Sequence, residues 1–439
     1  MQRTTIRLPR TPGVDIPRIG GGCRRRFGGV LRRLGVVVML ATASAVAAAS
    51  AVAAPSSGVV GHLYVNDNTT GVNTVAGFDR HSDGSLTPIP GSPFAVGGAG
   101  TGHGVASQGS LQLSGNGRYL LAVDAGSNQI SVLRIKPDGS LQIADVVSSD
   151  GVNPVSIAVH SDLVYVANAS PTTPNYTGFT LNAGGHLRAL AGSTVTLPDA
   201  SQPGDVLFND DGTNLIGTRV NTSLIDSFTV GLDGLLTAAA GSPFAAQGLG
   251  PFGSEFRPTN STQLFVSNAH DGPGNGTVSA FAVASDGTLS SIGASPFPNN
   301  QTAPCWVEIT HDGQFLFTVN TAVSTISSYS IAANGSLTLL GNTTMDATAH
   351  GPEDARLSPD GSALWVVDTA SNAISGFAVS GGTLTELGSS PTFGPAGAAP
   401  NRRRRHLSRR RHLRPLREAG AHPTRPPPAS STQLPMHDP

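Results

Sequence analysis

The chain has 439 residues with a formal net charge of −1, but this charge is unevenly distributed. Residues 1–53 carry nine Arg and residues 402–439 carry ten, whereas residues 54–401 contain only eight basic residues against 25 acidic ones. Binding to nucleic acid phosphates needs clustered Lys and Arg, so the acidic middle segment excludes a nucleic-acid partner. Such an excess of carboxylates is typical of a solvated surface that keeps a protein soluble.

Residues 1–53 have the organisation of an export signal. A group of Arg residues precedes an apolar run from Leu34 to Ala49, and the small residues Ala51-Val52-Ala53 match the pattern that signal peptidase accepts. The run is short and Ala-rich for a membrane span. We therefore predict a signal peptide cleaved before Ala54, a secreted or extracellular mature chain, and no membrane contact after cleavage. Arg24-Arg25-Arg26-Phe27 also resembles a twin-arginine signal, and a retained anchor is the alternative.

One unit of about 50 residues occurs seven times between residues 54 and 401. Each unit has a strand that ends in a small polar residue, as in Tyr165–Asn168 and Phe265–Asn268, then a second strand, a tight turn and a Leu. The turns are Asp83-Gly84, Asp138-Gly139, Gly184-Gly185, Asp233-Gly234, Asp286-Gly287, Asn334-Gly335 and Gly381-Gly382. These pairs tolerate the positive φ of tight hairpins. The pattern predicts an all-β, seven-bladed β-propeller of four-stranded antiparallel blades; a β-solenoid would have a shorter period.

The two ends of the repeat region do not match. The first unit starts at Gly61 with the strand that is second in other units, so we predict that the first blade lacks its closing strand and leaves an exposed edge. Pro400-Asn401 begins like the first strand of another unit, but four Arg follow it. We interpret residues 402–439 as a disordered Arg- and Pro-rich tail, produced by a reading-frame shift after Asn401. The alternative is a genuine basic tail that binds polyanionic wall polymers.

The repeats resemble the lactonase-like propeller family, which includes 6-phosphogluconolactonase-type and carboxymuconate-cyclase-type proteins. Tyr165-Val166-Ala167-Asn168, Phe265-Val266-Ser267-Asn268 and Asp360-Gly361 also resemble the YVTN repeats of bacterial surface propellers. The resemblance covers residues 61–401. It implies a lactonase, a carboxylic ester hydrolase, with a carboxylate, an Arg and a His at the mouth of the central channel. The shared motifs form blades, so they specify the fold more strongly than the activity.

The innermost strands, which line the channel of a propeller, carry the candidate site residues. Because side chains alternate between the two faces of a strand, every second residue of an inner strand lies near the axis. Many residues of this set are polar, and we expect the following near the axis: Ser110, Gln112, Ser156, Asp205, Glu255, Trp306, Glu308, Asp354 and Arg356. We expect Glu308 or Glu255 to act as general base on water and Arg356 to stabilise the oxyanion. His103, in a Gly-rich loop, is the candidate catalytic His, and Gln112, Asp205, Trp306 and Asp354 are candidate substrate-binding residues. The alternative is a structural network of Glu255, Glu308 and Arg356 around water.

Other motifs give no sign of a cofactor. The chain has no Cys/His metal spacing, no phosphate-binding loop after a strand and no nucleophile elbow. Asn209-Asp210-Asp211-Gly212 occupies a turn position, which argues against a calcium loop. Cys305 is the only Cys after removal of the leader, so no intramolecular disulfide is expected and Cys305 is interpreted as a small packed residue.

Two functions therefore remain open. The first is an exported, metal-independent and cofactor-free lactonase-like propeller that hydrolyses a lactone or cyclic ester at the central channel. The second is a non-catalytic extracellular or cell-surface propeller that binds carbohydrate or protein. The expected partner is a small-molecule lactone or a carbohydrate, and the expected state is a monomer. An open cavity around Glu255, Glu308 and Arg356 would favour the enzyme, whereas a channel plugged by them would favour the binding protein.

Overall fold

The structure is a computed structural model that describes residues 58–346, 351–387 and 391–393. These residues form 31 β-strands in seven antiparallel sheets, which confirms the predicted seven-bladed β-propeller. The described residues contain no helix, and so none that could cross a membrane. The predicted signal peptide, its cleavage point and the predicted tail of residues 402–439 lie outside the described residues.

The first three blades are built from consecutive antiparallel strands. Blade 2 is a simple meander, whereas in blades 1 and 3 the short last strand pairs with the same strand as the one before it. Blade 1 contains β1 (Val59–Asn66), β2 (Thr74–His81), β3 (Leu86–Pro88) and β4 (Phe94–Ala95). Blade 2 contains β5 (Leu111–Leu113), β6 (Tyr119–Asp124), β7 (Gln129–Ile135) and β8 (Leu141–Ser148). Blade 3 contains β9 (Pro154–His160), β10 (Leu163–Asn168), β11 (Asn175–Leu181), β12 (Leu187–Ala189) and β13 (Val195–Thr196).

The remaining blades repeat this order. Blade 4 contains β14 (Pro203–Phe208), β15 (Asn214–Arg219), β16 (Leu224–Val230), β17 (Leu236–Ala238) and β18 (Phe244–Ala245). Blade 5 contains β19 (Pro251–Arg257), β20 (Asn260–Asn268), β21 (Thr277–Val283), β22 (Leu289–Ser291) and β23 (Phe297–Pro298). Blade 6 contains β24 (Pro304–Ile309), β25 (Phe315–Asn320), β26 (Thr325–Ile331) and β27 (Leu337–Thr344). Blade 7 contains β28 (Pro352–Leu357), β29 (Ala363–Asp368), β30 (Ala373–Ser380) and β31 (Thr383–Glu386).

The first strand of each of blades 2 to 7 is the inner strand. These inner strands, β5, β9, β14, β19, β24 and β28, contact one another in that order around the axis. Several carry a register shift near their start, including one between Glu353 and Ala355 of β28. Such a bulge interrupts the alternation of side chains and re-aims them. Inner strands are therefore the elements that position polar groups along the channel.

The outer turns form as the sequence predicts. Gly84 adopts a φ of 82°, and Asp83 Oδ1 accepts hydrogen bonds from the Ser85 amide at 2.9 Å and the Ser85 hydroxyl at 2.7 Å. An added Cβ would be strained at this φ, so Gly is the favoured residue. The segment 209–212 is also a turn, closed by the Gly212 amide bound to the Asn209 carbonyl at 2.9 Å.

The small polar residue that ends the second strand of a unit has a structural role. Five of these residues are fully buried: Asp124, Asn168, Asn268, Asn320 and Asp368. Asp124 Oδ2 accepts a hydrogen bond from Ser131 Oγ at 2.6 Å, and Asp368 Oδ2 accepts one from Ser375 Oγ at 2.6 Å. A buried polar group costs free energy unless it is hydrogen-bonded. These residues therefore fix the second strand against the third.

Aromatic residues join neighbouring blades. Tyr119 and Tyr165 are fully buried, and their hydroxyl groups donate to the carbonyls of Ala183 at 2.9 Å and Gly234 at 2.8 Å in the next blade. Burial of one such ring contributes roughly 1.5–3 kcal/mol, and the hydroxyl bond sets the spacing between blades. The apolar core is thus a series of clusters between adjacent sheets.

Blade 1 differs from the others on its axial side. Within the described residues β1 pairs only with β2, so no strand covers its inner edge. Val59 and Val60 at the start of β1 are 53% and 54% exposed. This agrees with the prediction that the first blade lacks a closing strand among the residues that the structure describes.

Candidate functional site

A loop before β5 crosses the propeller axis at Gln108. The Gln108 amide donates to the Gly204 carbonyl at 2.9 Å, its Nε2 donates to the Ser254 carbonyl at 2.8 Å, and its Oε1 accepts from the Val307 amide at 3.0 Å. These partners belong to blades 4, 5 and 6. Gln108 is 4% exposed and closes the channel between its two ends.

Ser107 completes this closure. Its hydroxyl donates to the Val155 carbonyl at 2.6 Å, and its carbonyl accepts from Trp306 Nε1 at 3.0 Å. Trp306, a predicted substrate-binding residue, is 3% exposed and packs edge-on against Phe252 at 5.0 Å between ring centroids. Trp306 therefore forms a fixed part of the channel wall.

Two cavities lie on either side of the closure. The large cavity, of about 350 Å³, is next to the starts of the inner strands, and residues that line it include Asn66, His103, Ser107, Trp306, Glu353, Asp354 and Arg356. The small cavity, of about 190 Å³, is next to their ends and is lined by residues including Gln108, Gln112, Asp205, Ser254, Glu255 and Arg356. Arg356 borders both cavities. The large cavity also borders the uncovered edge of β1 at Tyr64, Val65 and Asn66.

Glu308 fixes the position of the Arg356 guanidinium. Arg356 Nη1 donates to Glu308 Oε2 at 3.2 Å, and the Leu357 amide donates to Glu308 Oε1 at 3.0 Å. The Glu308 side chain is 8% exposed, whereas that of Arg356 is 40% exposed. Both oxygens of Glu308 are thus engaged, and its partner presents a cationic group to the channel.

Burial and mutual interaction perturb the charges of this cluster. Desolvation raises the pKa of Glu308, and Arg356 opposes that rise. Desolvation and the neighbouring Glu308 charge raise the pKa of Glu255 well above its usual range, and Glu255 Oε2 has no hydrogen-bond partner among the described residues. Desolvation lowers the pKa of Arg356, but the carboxylates of Glu308 and Asp354 outweigh it and raise that pKa. The cluster therefore combines a permanent cation with a carboxyl group, Glu255, that favours its protonated form.

Asp205 lies in the small cavity within a set of hydroxyl donors. Its Oδ2 accepts from the Ser254 amide at 2.9 Å and the Ser254 hydroxyl at 2.8 Å, and its Oδ1 accepts from Ser156 Oγ at 3.2 Å. Burial raises the pKa of Asp205 to about 7, although these hydrogen bonds oppose the rise.

Asp354 and Glu353 both reach the large cavity, because the bulge in β28 interrupts strand alternation between them. Asp354 Oδ1 accepts from the Ala355 amide at 3.0 Å; burial raises the Asp354 pKa, and Arg356 offsets only part of that rise. Glu353 lies against the Gly-rich loop, where a Cβ added at Gly104 would be 2.4 Å from Glu353 Oε2. Glu353, Ser107 and Gln108 are not among the residues predicted from the sequence, although the Gly-rich loop around His103 was a signal of close backbone approach.

The predicted site residues thus divide between the cavities. His103, Trp306 and Asp354 line the large cavity, Gln112, Asp205 and Glu255 line the small one, Arg356 joins the two and Glu308 supports Arg356. His103 is exposed, and its carbonyl accepts a hydrogen bond from Asn68 Nδ2 at 2.5 Å.

The arrangement favours acid–base chemistry at a partly desolvated surface. In the described part of the chain, no group of three or more His, Cys, Asp and Glu side chains is placed to hold a metal ion. A guanidinium next to a carboxylate can stabilise a developing oxyanion while the carboxylate takes a proton from water.

Solved structures resemble this fold over most of its length. A candidate 6-phosphogluconolactonase from Bacteroides uniformis has a TM-score of 0.62 and 21% identity, covering 76% of this chain and 96% of its own. A periplasmic gluconolactonase from Pseudomonas aeruginosa has a TM-score of 0.61 and 18% identity, covering 76% of this chain and 97% of its own. At these identities the likeness demonstrates the fold alone.

Comparison with protein families gives a more specific result. No curated protein matches the sequence. The model of the family described as lactonase, seven-bladed β-propeller, matches residues 61–231 and 256–407, which together make up most of the chain. This protein belongs to the lactonase family of seven-bladed β-propellers.

Proposed function

We propose that this protein is an exported hydrolase that opens a lactone in the large cavity. The observation that carries the proposal is the placement of Arg356, which is fixed by Glu308 yet remains open to the same cavity as Asp354. The cavity volume of about 350 Å³ falls within the size range of ligand pockets.

The proposed reaction needs only groups of this chain and water. The lactone carbonyl oxygen accepts a hydrogen bond from the Arg356 guanidinium, which stabilises the oxyanion as it forms. Asp354 takes a proton from a water molecule, and the water oxygen bonds to the carbonyl carbon. The ring C–O bond then breaks, and the proton on Asp354 passes to the leaving alkoxide. The product is an open-chain hydroxy acid.

We assign the base to Asp354 because of how the other carboxyl groups are engaged. Glu308, a base candidate on sequence grounds, has both oxygens hydrogen-bonded and acts in this proposal as a positioning residue for Arg356. Glu255 borders the small cavity, and its raised pKa favours a protonated group at neutral pH. A protonated carboxyl group cannot act as a base.

The proposal is tested with purified protein that begins at Ala54 and a panel of five- and six-membered lactones. Asp354→Asn should lower kcat by roughly 10²–10⁴-fold, the usual contribution of a general base. Asp286→Asn, in an exposed turn of blade 5, is the matched control and should retain full activity. Equal turnover in Asp354→Asn and the control would exclude Asp354 as the base.

A positioning role for Glu308 has its own signature. Glu308→Gln should lower kcat less than Asp354→Asn does, and activity should still rise with pH through one titration, since the base Asp354 is still present. Loss of that titration, or a loss of kcat equal to that of Asp354→Asn, would assign the base to Glu308. Failure to hydrolyse any lactone would favour the non-catalytic binding propeller, for which the closed channel at Gln108 is the supporting observation.

Export is proposed on the sequence pattern alone. Mass spectrometry of the mature N-terminus should find Ala54 as the first residue in the secreted fraction. Substitution of Arg24-Arg25 by Lys-Lys should block that export if the twin-arginine route is used. A mature chain that retains residues 1–53 would contradict the proposal.

A further inference from the structure

We propose that the large cavity selects an uncharged, polyhydroxylated lactone and rejects one that carries a phosphate group. The inference rests on the proposed lactone hydrolysis and adds the substrate class. It follows from the charges and the hydrogen-bond donors that surround Arg356.

Carboxylates outnumber cations in the large cavity. Among the residues that the structure describes, Asp67, Glu353 and Asp354 line it together with a single permanent cation, Arg356. Lys136 is the only Lys of the chain and borders neither cavity. A phosphate group entering the large cavity would therefore be placed among like charges.

The Arg356 guanidinium already interacts with carboxylates. Arg356 donates to Glu308 at 3.2 Å, and its charge is shared with Asp354 and Glu255. Phosphate is typically recognised by a bidentate Arg, by several cations, or by a cluster of free backbone amides. Arg356 can offer its remaining N–H groups to a phosphate, but the phosphate would then lie next to the Glu308 and Asp354 carboxylates.

Four backbone amides at or next to the large cavity are already hydrogen-bonded. The Gly102 amide donates to the Asn68 carbonyl at 2.7 Å, and the Thr101 amide donates to Asn68 Oδ1 at 3.0 Å. The facing amides are used as well, with that of Asn68 bound to Asn66 Oδ1 at 3.1 Å and that of Thr69 bound to Asn73 Oδ1 at 3.0 Å. These four amides of the loop pair are therefore not available to an anion.

The same groups suit sugar hydroxyls. Carboxylates accept hydrogen bonds from O–H donors, and charge-assisted bonds of this kind are among the stronger ones. Glu353 and Asp354 line the large cavity together with Ser110, whose hydroxyl can donate or accept. An uncharged lactone ring with several hydroxyl groups would satisfy these acceptors and leave its carbonyl for Arg356.

The test compares kcat/KM for glucono-1,5-lactone and 6-phosphoglucono-1,5-lactone, each corrected for spontaneous hydrolysis. We expect at least a tenfold preference for the uncharged lactone. Glu353→Gln removes one negative charge from the cavity and should narrow that ratio severalfold, whereas Asp286→Asn should leave it unchanged. Added salt should also narrow the ratio, because it screens repulsion between the phosphate and the carboxylates.

A binding measurement separates failure of this inference from failure of the proposed function. Trp306 lines the large cavity and is one of two Trp residues, so its fluorescence reports on binding of an uncharged gluconolactam and a phosphorylated counterpart, with Trp306→Phe as the control. Preferred hydrolysis of the phosphorylated lactone would overturn the inference but not the lactonase. Selective binding of the uncharged lactam without hydrolysis of either lactone would overturn the lactonase but not the charge selection. Absence of both binding and hydrolysis would overturn both.

Discussion

Two Arg–carboxylate pairs of this propeller differ in how completely they are enclosed. In blade 4, Arg219 binds Asp226 through Nε at 2.7 Å and Nη2 at 2.5 Å, and the Tyr176 hydroxyl adds a bond to Asp226 Oδ2 at 3.0 Å. The Arg219 side chain is 9% exposed and the Asp226 side chain is 2% exposed. At the axis, Arg356 meets Glu308 through a single bond at 3.2 Å and stays 40% exposed.

The difference distinguishes a structural ion pair from one with the features of a functional site. The blade 4 pair is balanced in charge and joined by two hydrogen bonds, so it has the features of a structural ion pair. The axial pair is surrounded by further carboxylates, including Asp354, Glu255 and Asp205. An unbalanced, partly open cluster of perturbed groups next to a cavity is characteristic of a functional site.

The largest expected effect is on stability and comes from the enclosed pair. Asp226→Ala leaves the Arg219 charge and the Tyr176 hydroxyl buried without their acceptor, which should lower the free energy of unfolding by roughly 3–5 kcal/mol. Urea unfolding measures this loss. The folded fraction should retain normal kcat. A loss of turnover without a loss of stability would contradict the structural role assigned to the Arg219–Asp226 pair.

The second prediction concerns the open pair, where the effect should fall on activity. Arg356→Lys keeps a positive charge but loses the planar fork of donors, so kcat/KM should fall by about 10²–10³-fold, the usual effect of removing one oxyanion donor. The free energy of unfolding should change by less than about 1 kcal/mol, since the pair is partly exposed. A large destabilisation with normal activity would assign Arg356 a structural role.

The third prediction uses pH. The pKa of Asp205 is raised to about 7, so the folded state holds a proton that the unfolded state releases above about pH 4. The stability from this proton is full below pH 4 and is lost as the pH rises through 7. Urea unfolding should therefore show a decline with rising pH, of at most about 1.4 kcal/mol per pH unit for this one group. Asp205→Asn should make the decline shallower, and an unchanged slope would contradict the assignment.

The smallest effect is expected at the rim of the propeller. Asp286 accepts the Thr288 amide at 3.0 Å in an exposed turn of blade 5. Asp286→Asn keeps an acceptor oxygen, so the free energy of unfolding should change by less than about 0.5 kcal/mol, as for most surface substitutions. Thermal unfolding of this variant and of Asp226→Ala should be measured side by side. The comparison would show whether the loss of stability depends on where the carboxylate lies rather than on the loss of a carboxylate as such.

Local chemistry made the fold predictable. The Asp-Gly and Asn-Gly turns and the polar strand ends act over a few residues, and so they are readable from one sequence. Alternation also placed Arg356, Glu308 and Glu255 at the axis. It could not place Glu353 beside Asp354, because the bulge in β28 breaks the period. Nor could it find Gln108, whose partners Ser254 and Val307 are 146 and 199 residues away in the chain.

The crossing loop has a consequence for how the ring folds. In a repeat array each unit contacts only its neighbours, and such arrays can unfold piece by piece. Here Gln108 and Ser107 of one loop bind blades 3, 4, 5 and 6. The complete set of bonds forms only after blade 6 has been synthesised, and these long-range contacts raise the contact order of the chain. The loop thus couples distant blades into one cooperative unit. A chain that ends before blade 6 would lack the hydrogen bonds from this loop to Trp306 and Val307.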